Sequence, residues 1–137
     1  MRISQKLEYA CRALAQLAKH HGSHTVTRLD ELAQREDVSA NFLVQILNDL
    51  RRAGLVESKR GKEGGYLLAK EPQRISLMEI VDAIDPSLLI CSVSSEGESG
   101  AAVAESWRSI AKALQEHLSK ISLAQLTITP GDSMFYI

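Results

Sequence analysis

Apolar residues recur every three or four positions between residues 40 and 53, which is the period of a helix that buries one side. The members of this stripe are Phe42, Leu43, Ile46, Leu47, Leu50 and Ala53. Ser39 lies where an N-cap side chain is needed, and Gly54 follows the last turn, where a left-handed residue often ends a helix. The pattern therefore predicts a helix between Ser39 and Gly54.

The opposite side of this predicted helix is polar but not acidic. It presents Asn41, Val44, Gln45, Asn48 and Arg52. Amide and guanidinium groups exchange hydrogen bonds with base edges and phosphates, whereas a helix that only has to remain soluble more often carries Glu and Lys. This side of the helix is a candidate surface for reading duplex nucleic acid.

A basic hairpin is predicted directly after the helix. Residues 55–59 alternate loosely like a strand, and residues 66–69 can return beside them. The segment between them contains three glycines, which permit a tight turn and a close approach of the backbone. Lys59, Arg60 and Lys62 then lie at a tip with little bulk, which suits a narrow groove and its phosphates.

A shorter helix is predicted just upstream. Residues 27–30 resemble a capping box whose fourth residue is Asp in place of the usual Glu or Gln, and a break follows at residues 36–38. Two helices joined by a turn and followed by a hairpin form a winged helix-turn-helix, with its helix-turn-helix core at residues 28–51 and its wing at residues 55–69. The plainer alternative is a small α+β domain with the same order of elements.

Other helices are predicted on either side of this unit. Residues 4–20 have an apolar stripe that includes Cys11, which is therefore expected to be a small buried hydrophobe. Ser76 and Glu79 form a capping box that opens another helix, which ends before Pro86.

The C-terminal third contains the longest predicted helix. Apolar residues recur along it at intervals of three and four and form a row that we call the seam: Val103, Trp107, Ile110, Leu114, Leu118 and Ile121. Such a helix after a small domain is most simply explained as a dimer contact. The layout is a DNA-binding domain at residues 1–85, a flexible loop at 86–100, a dimerisation helix at 101–126 and a tail at 127–137, so the fold class is mainly α (α+β).

The charge is divided unevenly along the chain. The net charge of the 137 residues is −1, yet residues 1–70 carry 12 Lys or Arg against 8 Asp or Glu, a net +4, and residues 71–137 carry 4 against 9, a net −5. The basic half is the one that contains the predicted reading surface. With no apolar run long enough to span a bilayer and no signal peptide, we expect a cytoplasmic protein that does not bind membranes.

Other chemistry has little support. No nucleophile and base share a motif, so we predict that the protein is not an enzyme. His20, His21 and His24 could form a metal site, but histidines beside a glycine with no carboxylate or thiol nearby more often form a solvated loop, and no metal is predicted.

The whole chain resembles the Rrf2 family of bacterial transcription regulators. The resemblance is carried by residues 1–4 with Tyr9 and Ala10, residues 50–56, residues 58–61 with 64–66, and Trp107 with residues 121–123 and Leu126. It implies a dimeric winged-helix protein that binds a pseudo-palindromic operator in double-stranded DNA. It also implies that Ser39, Asn41, Phe42 and Gln45 touch DNA and that Arg60 enters the minor groove, and Arg52, Lys59 and Lys62 are added as cations on the same surfaces.

The sequence departs from the family at one place. Many relatives hold an iron–sulfur cluster through three cysteines in the loop before the dimer helix, but here only Cys91 is present, and no Cys or His occurs between Ser92 and Trp107. One thiol cannot build such a site, so we predict no cofactor. Cys91 is then either an oxidisable thiol or a buried residue without a chemical role.

The last residues are unusually apolar for a tail. Phe135, Tyr136 and Ile137 follow Gly131 and Asp132, and such a tail either folds back on the dimer or is captured by a partner together with its carboxylate. The tail is similar to that of the cluster-less branch of the family, which represses genes of cysteine metabolism. That resemblance implies cysteine synthase as a partner, with redox sensing through Cys91 as the alternative mode of regulation.

Overall fold

The computed structural model describes residues 1–23 and 25–128; His24, Phe135, Tyr136 and Ile137 lie outside the described residues. In chain order the elements are α1 (Gln5–Lys19), α2 (Leu29–Glu36), α3 (Ala40–Arg52), β1 (Val56–Lys59), β2 (Gly65–Leu68), α4 (Leu77–Ile84) and α5 (Gly100–Lys120). Short 3₁₀ turns occur at His21–Ser23, Pro72–Arg74, Pro86–Leu89 and Leu123–Thr127. The predicted fold class is confirmed: the chain is mainly helical, with a small antiparallel sheet and a long C-terminal helix.

The core lies where α1, α3 and α4 meet. Leu14, Ile46 and Leu50 are fully buried, and Leu123 reaches the same cluster from the C-terminal turn. Each such side chain contributes roughly 1.5–3 kcal/mol through the apolar surface that it removes from water. The core therefore holds one side of α3 firmly against α1 and leaves its other side free.

Both predicted ends of α3 are confirmed. The Ser39 side chain accepts a hydrogen bond from the backbone N–H of Phe42. At the other end Gly54 has φ 79°, its N–H donates to Arg51 O at 3.0 Å, and the N–H of Leu55 donates to Leu50 O at 3.0 Å. These two bonds form a Schellman motif, which turns the chain directly from the helix into β1.

The predicted capping box at residues 27–30 is wrong. Helix α2 is preceded by Arg28, whose side chain caps no backbone group. Thr27 is buried and pairs with Tyr66, because each residue donates its N–H to the carbonyl oxygen of the other at 2.8 Å. Thr27 therefore joins the hairpin through an isolated antiparallel bridge to Tyr66, and this long-range pairing, rather than a local helix cap, sets its backbone conformation.

The capping box of α4 is confirmed, since Ser76 and Glu79 exchange side-chain and backbone hydrogen bonds of 3.1 and 3.4 Å. The segment 86–100 is not wholly a loop, because Pro86–Leu89 forms a 3₁₀ turn that packs Leu88 and Leu89 on the core.

The predicted helix 101–126 is too long. Helix α5 ends at Lys120, and Ile121 is extended (φ −97°, ψ 122°). The N–H of Leu77 donates to Ile121 O at 2.9 Å, and the N–H of Leu123 donates to Ile75 O at 2.7 Å. These bonds draw the chain back to the start of α4 and bury Leu123 fully. No helix among residues 1–23 and 25–128 is long and apolar enough to cross a membrane.

A candidate nucleic-acid interface

The outward side of α3 is polar and accessible. Asn41, Gln45 and Arg52 are exposed, and Asn48 is half-buried beside them. At 100° per residue these positions lie opposite the buried stripe, so their side chains point away from the core together. We call Asn41, Gln45, Asn48 and Arg52 the reading face. The sequence predicted this grouping together with Val44, which is half-buried.

Two other residues predicted to contact DNA, Phe42 and Ser39, make contacts within the domain. Phe42 is half-buried and meets the ring of Tyr9 edge to face, with ring centroids 5.6 Å apart. The guanidinium of Arg12 lies 5.6 Å from the centroid of the same Tyr9 ring. Ser39 is exposed, but its hydroxyl already accepts the N–H of Phe42. The contact between Tyr9 and Phe42 holds the start of α3 against α1.

An ion-pair cluster fixes the other end of α3. The Nζ of Lys6 lies 2.6 Å from Asp49 Oδ2, and Arg52 also pairs with Asp49. The hydrogen bond from Lys6 is the main cause that holds the pKa of Asp49 below its usual range, with a smaller effect in the same direction from Arg52. No local pattern could reveal this contact, because Lys6 and Asp49 lie 43 residues apart.

The cluster predicts a pH-dependent stability. A carboxylate with a lowered pKa stabilises the fold above the pKa of an unfolded aspartate, about 3.9, and this contribution is lost as the pH falls through the lower value. We expect Asp49→Asn to lower the free energy of unfolding by about 0.5–1 kcal/mol at pH 7, because the pair is partly exposed. In urea unfolding the difference from the unmodified protein should shrink below about pH 4. Asp82→Asn on the exposed side of α4 is the matched control, and an equal effect of both substitutions would contradict the assignment.

The wing carries its cations directly after α3, and its first strand contacts that helix. Strands β1 and β2 are antiparallel, with Val56 opposite Leu68 and Lys59 opposite Gly65. Lys59, Arg60 and Lys62 are all exposed. A Cβ on Gly65 would lie 2.6 Å from Thr27 O, so only glycine lets the wing approach the segment before α2 this closely.

A cleft of about 640 Å³ separates the wing from residues 25–31. Its cations are Arg28, Lys59, Arg60 and Lys62, with Glu31 and Glu63 as the acids. Arg28 was not among the residues predicted from the sequence. The signal that could have revealed it is the presence of an arginine at the start of a helix, where cations are unfavourable.

The two cysteines occupy different surroundings. Cys11 packs against the core on α1, and burial raises the pKa of its thiol to about 11. Cys91 is half-buried at the beginning of the segment that precedes α5. In the described part of the chain, no three His, Cys, Asp or Glu side chains are grouped so that they could hold a metal ion.

Several known proteins are similar to this chain in sequence and in fold. Residues 3–128 match the Rrf2 family, described as an iron-dependent transcriptional regulator. The transcriptional regulator CymR of Bacillus subtilis is 36% identical over 141 residues, spanning all of both chains, and the regulator IscR of Xenorhabdus nematophila is 32% identical over 92% of this chain and 79% of its own. The solved structure of CymR, the global cysteine regulator of B. subtilis, superposes with a TM-score of 0.82 at 35% identity, over 93% of this chain and 96% of that one.

The residues of this chain do not fit an iron–sulfur cluster. Such a cluster needs several thiolate or imidazole ligands. Cys91 is followed by Ser, Val, Glu and Gly side chains up to α5, and the thiol of Cys11 lies on another helix, where burial keeps it protonated. The donor set is therefore too small for such a cluster.

Proposed function

This chain belongs to the Rrf2 family of transcriptional regulators, and from that premise we propose that it is a homodimeric repressor of genes for cysteine and sulfur metabolism that acts in the cytoplasm. Its relatives are named as regulators, and it is not an enzyme. The observation that carries the DNA-binding role is the exposure of both the reading face and the wing cations, on two elements, α3 and the β1–β2 hairpin, that contact each other.

The reading face suits the major groove. The side-chain amides of Asn41 and Gln45 can each pair with N6 and N7 of an adenine, and each such pair discriminates between bases by roughly 1–3 kcal/mol. The wing suits the adjacent minor groove, where Arg60 meets the enhanced negative potential of a narrow A·T-rich segment. Lys59 and Lys62 add sequence-independent attraction to phosphates.

The first half of α5 suits a second copy of the chain. Val103, Trp107 and Ile110 are 47%, 54% and 57% exposed, although they continue the same seam as the half-buried Leu114 and Leu118. Exposed apolar side chains in such a row mark an association surface. Pairing of two α5 helices would give the dimer two reading faces, which suits a pseudo-palindromic operator.

The cysteine-related role is supported by similarity to CymR over the full length of both proteins. Chromatin immunoprecipitation in the native cell tests it. We expect enrichment of promoters of genes for cysteine synthesis and sulfur uptake, with derepression when the gene is deleted. Enrichment confined to other promoters would contradict this role and leave DNA binding intact.

Regulation by cysteine synthase is supported by the sequence Phe135-Tyr136-Ile137, whose apolar side chains suit capture by a partner. In calorimetry with purified cysteine synthase, we expect deletion of Ile137 to weaken binding at least about tenfold, the loss of one buried side chain. Ile137→Val is the matched control and should bind within about threefold. Equal binding by the deletion variant and the unmodified protein would contradict the partner.

Redox sensing through Cys91 is the alternative, favoured by the partial exposure of this side chain. The response of the Cys91→Ser variant distinguishes the two modes of regulation. Under the alternative, Cys91→Ser abolishes a response of operator binding to peroxide, whereas control by cysteine synthase persists in Cys91→Ser unchanged.

A further inference from the structure

Arg28 occupies a position that helix chemistry disfavours. The residue before α2 is extended (φ −73°, ψ 153°), and its side chain caps no backbone N–H. Ser, Thr, Asp or Asn at this position would stabilise the helix, and a cation there opposes the positive end of the helix dipole. A residue that breaks a local rule in this way often serves a function elsewhere.

The side chain of Arg28 reaches the tip of the wing instead. Its Nη1 donates a hydrogen bond to the backbone carbonyl of Lys62 at 3.1 Å, between residues 34 positions apart. Its Nε lies 3.5 Å from Asp30 Oδ1, so the carboxylate orients the guanidinium toward the wing. The planar guanidinium can hold both contacts at once, since its donors point in fixed directions.

The backbone of the preceding residue, Thr27, holds the strands of the same hairpin close to its tip. Thr27 and Tyr66 exchange two hydrogen bonds of 2.8 Å, and Gly65 abuts the carbonyl of Thr27. Thr27 thus holds the loop end of the two strands, where Tyr66 lies opposite Ser58, and Arg28 holds the adjoining tip. A two-stranded hairpin alone is only marginally stable, so these attachments determine how far the tip moves.

We propose that Arg28 is a positioning residue that holds the wing tip so that Arg60 meets the minor groove at a set distance from the reading face. This inference rests on the proposed DNA-binding function. A wing that is already ordered loses less conformational freedom on binding, and the operator is then bound more tightly. Because Arg28 also lines the cationic cleft, its competing role is a direct phosphate contact, which would leave the free protein unchanged.

The free protein separates these two roles. Gly64 donates its N–H to Gly61 O at 3.0 Å within the tip, so its amide exchange reports the order of the tip. In Arg28→Met we expect this exchange to quicken at least about fivefold while the thermal midpoint moves by no more than about 3 °C. Arg74→Met removes a cation from an exposed site outside the wing and should leave Gly64 unchanged. Unaltered exchange in Arg28→Met would overturn the proposal.

A double-mutant cycle tests the link to Arg60. We expect Arg28→Met to weaken operator binding by about fivefold to twentyfold in the unmodified protein, but less than about twofold when Arg60→Ala is already present. An equal loss in both backgrounds, or no loss in the unmodified background, would overturn the proposal. If the unmodified protein binds no operator, the DNA-binding function fails, and the exchange measurement still decides the role of Arg28.

Discussion

Replacing Trp107 and Ile110 together with glutamate should separate the dimer into monomers and weaken operator binding by at least about 100-fold. Both side chains are more than half exposed on the seam of α5, where a second copy would cover them. Each contributes roughly 1.5–3 kcal/mol when buried, so the loss of two costs about 150-fold or more in the dimerisation constant. Burial of an unpaired carboxylate adds a further penalty.

Sedimentation equilibrium and a binding titration with a two-half-site operator measure this effect. Ala102→Glu with Ser109→Glu is the matched control, because it adds the same two charges to exposed positions on the opposite side of α5. The control should remain dimeric and bind normally. A Trp107→Glu/Ile110→Glu protein that stays dimeric, or an unmodified protein that is monomeric, would refute the seam as the dimer contact.

Replacing Arg60 with alanine should weaken operator binding by about 5-fold to 150-fold, which corresponds to the 1–3 kcal/mol that one arginine contact supplies. Arg60 is exposed at the wing tip, and a narrow A·T-rich minor groove attracts a guanidinium more strongly than a wide one. We therefore expect the variant to lose most of its preference for A·T pairs at the positions beneath the wing.

Fluorescence anisotropy with operators that carry A·T or G·C pairs at those positions measures both effects. Arg74→Ala provides the control for the loss of one positive charge on an exposed site outside the wing. An Arg60→Ala protein that binds within twofold of the unmodified protein would show that the wing does not enter the groove.

Local sequence signals were sufficient for the centre of the fold. The ends of α3 depend on Ser39 and Gly54, and the start of α4 depends on Ser76 and Glu79, all of which act within a few residues along the chain. The polar reading face followed from the same periodicity, because the buried stripe fixes the direction of the remaining side chains.

Features that depend on distant residues were predicted wrongly or missed. The local pattern predicts a helix cap at Thr27, since its actual partner, Tyr66, lies 39 residues away in the sequence. The predicted length of α5 exceeds the observed length, because the end of the helix is set by hydrogen bonds that residues 121–123 form with residues at the start of α4. The apolar spacing along α5 is the same at the exposed Trp107 as at the half-buried Leu118. The spacing therefore does not show which part of the helix packs on its own domain and which part extends away from it.

Arg28 shows how the same limit applies to the candidate site. Its sequence neighbours suggest an ordinary helix start, and only the fold brings its guanidinium to the carbonyl of Lys62. Candidate DNA-contacting residues on one side of a single helix are thus easier to predict from sequence. Residues that position the helix and the wing relative to each other are harder to predict, because their partners are distant in the sequence.

A base-resolution footprint on an operator selected from genomic DNA shows whether each protomer presents the reading face and the wing together to one duplex. We predict two symmetric half-sites, each with major-groove base contacts that Gln45→Ala weakens and a flanking minor-groove protection that Arg60→Ala removes. A single asymmetric footprint, one that neither substitution alters, or no fragment retained at modest ionic strength would contradict the account.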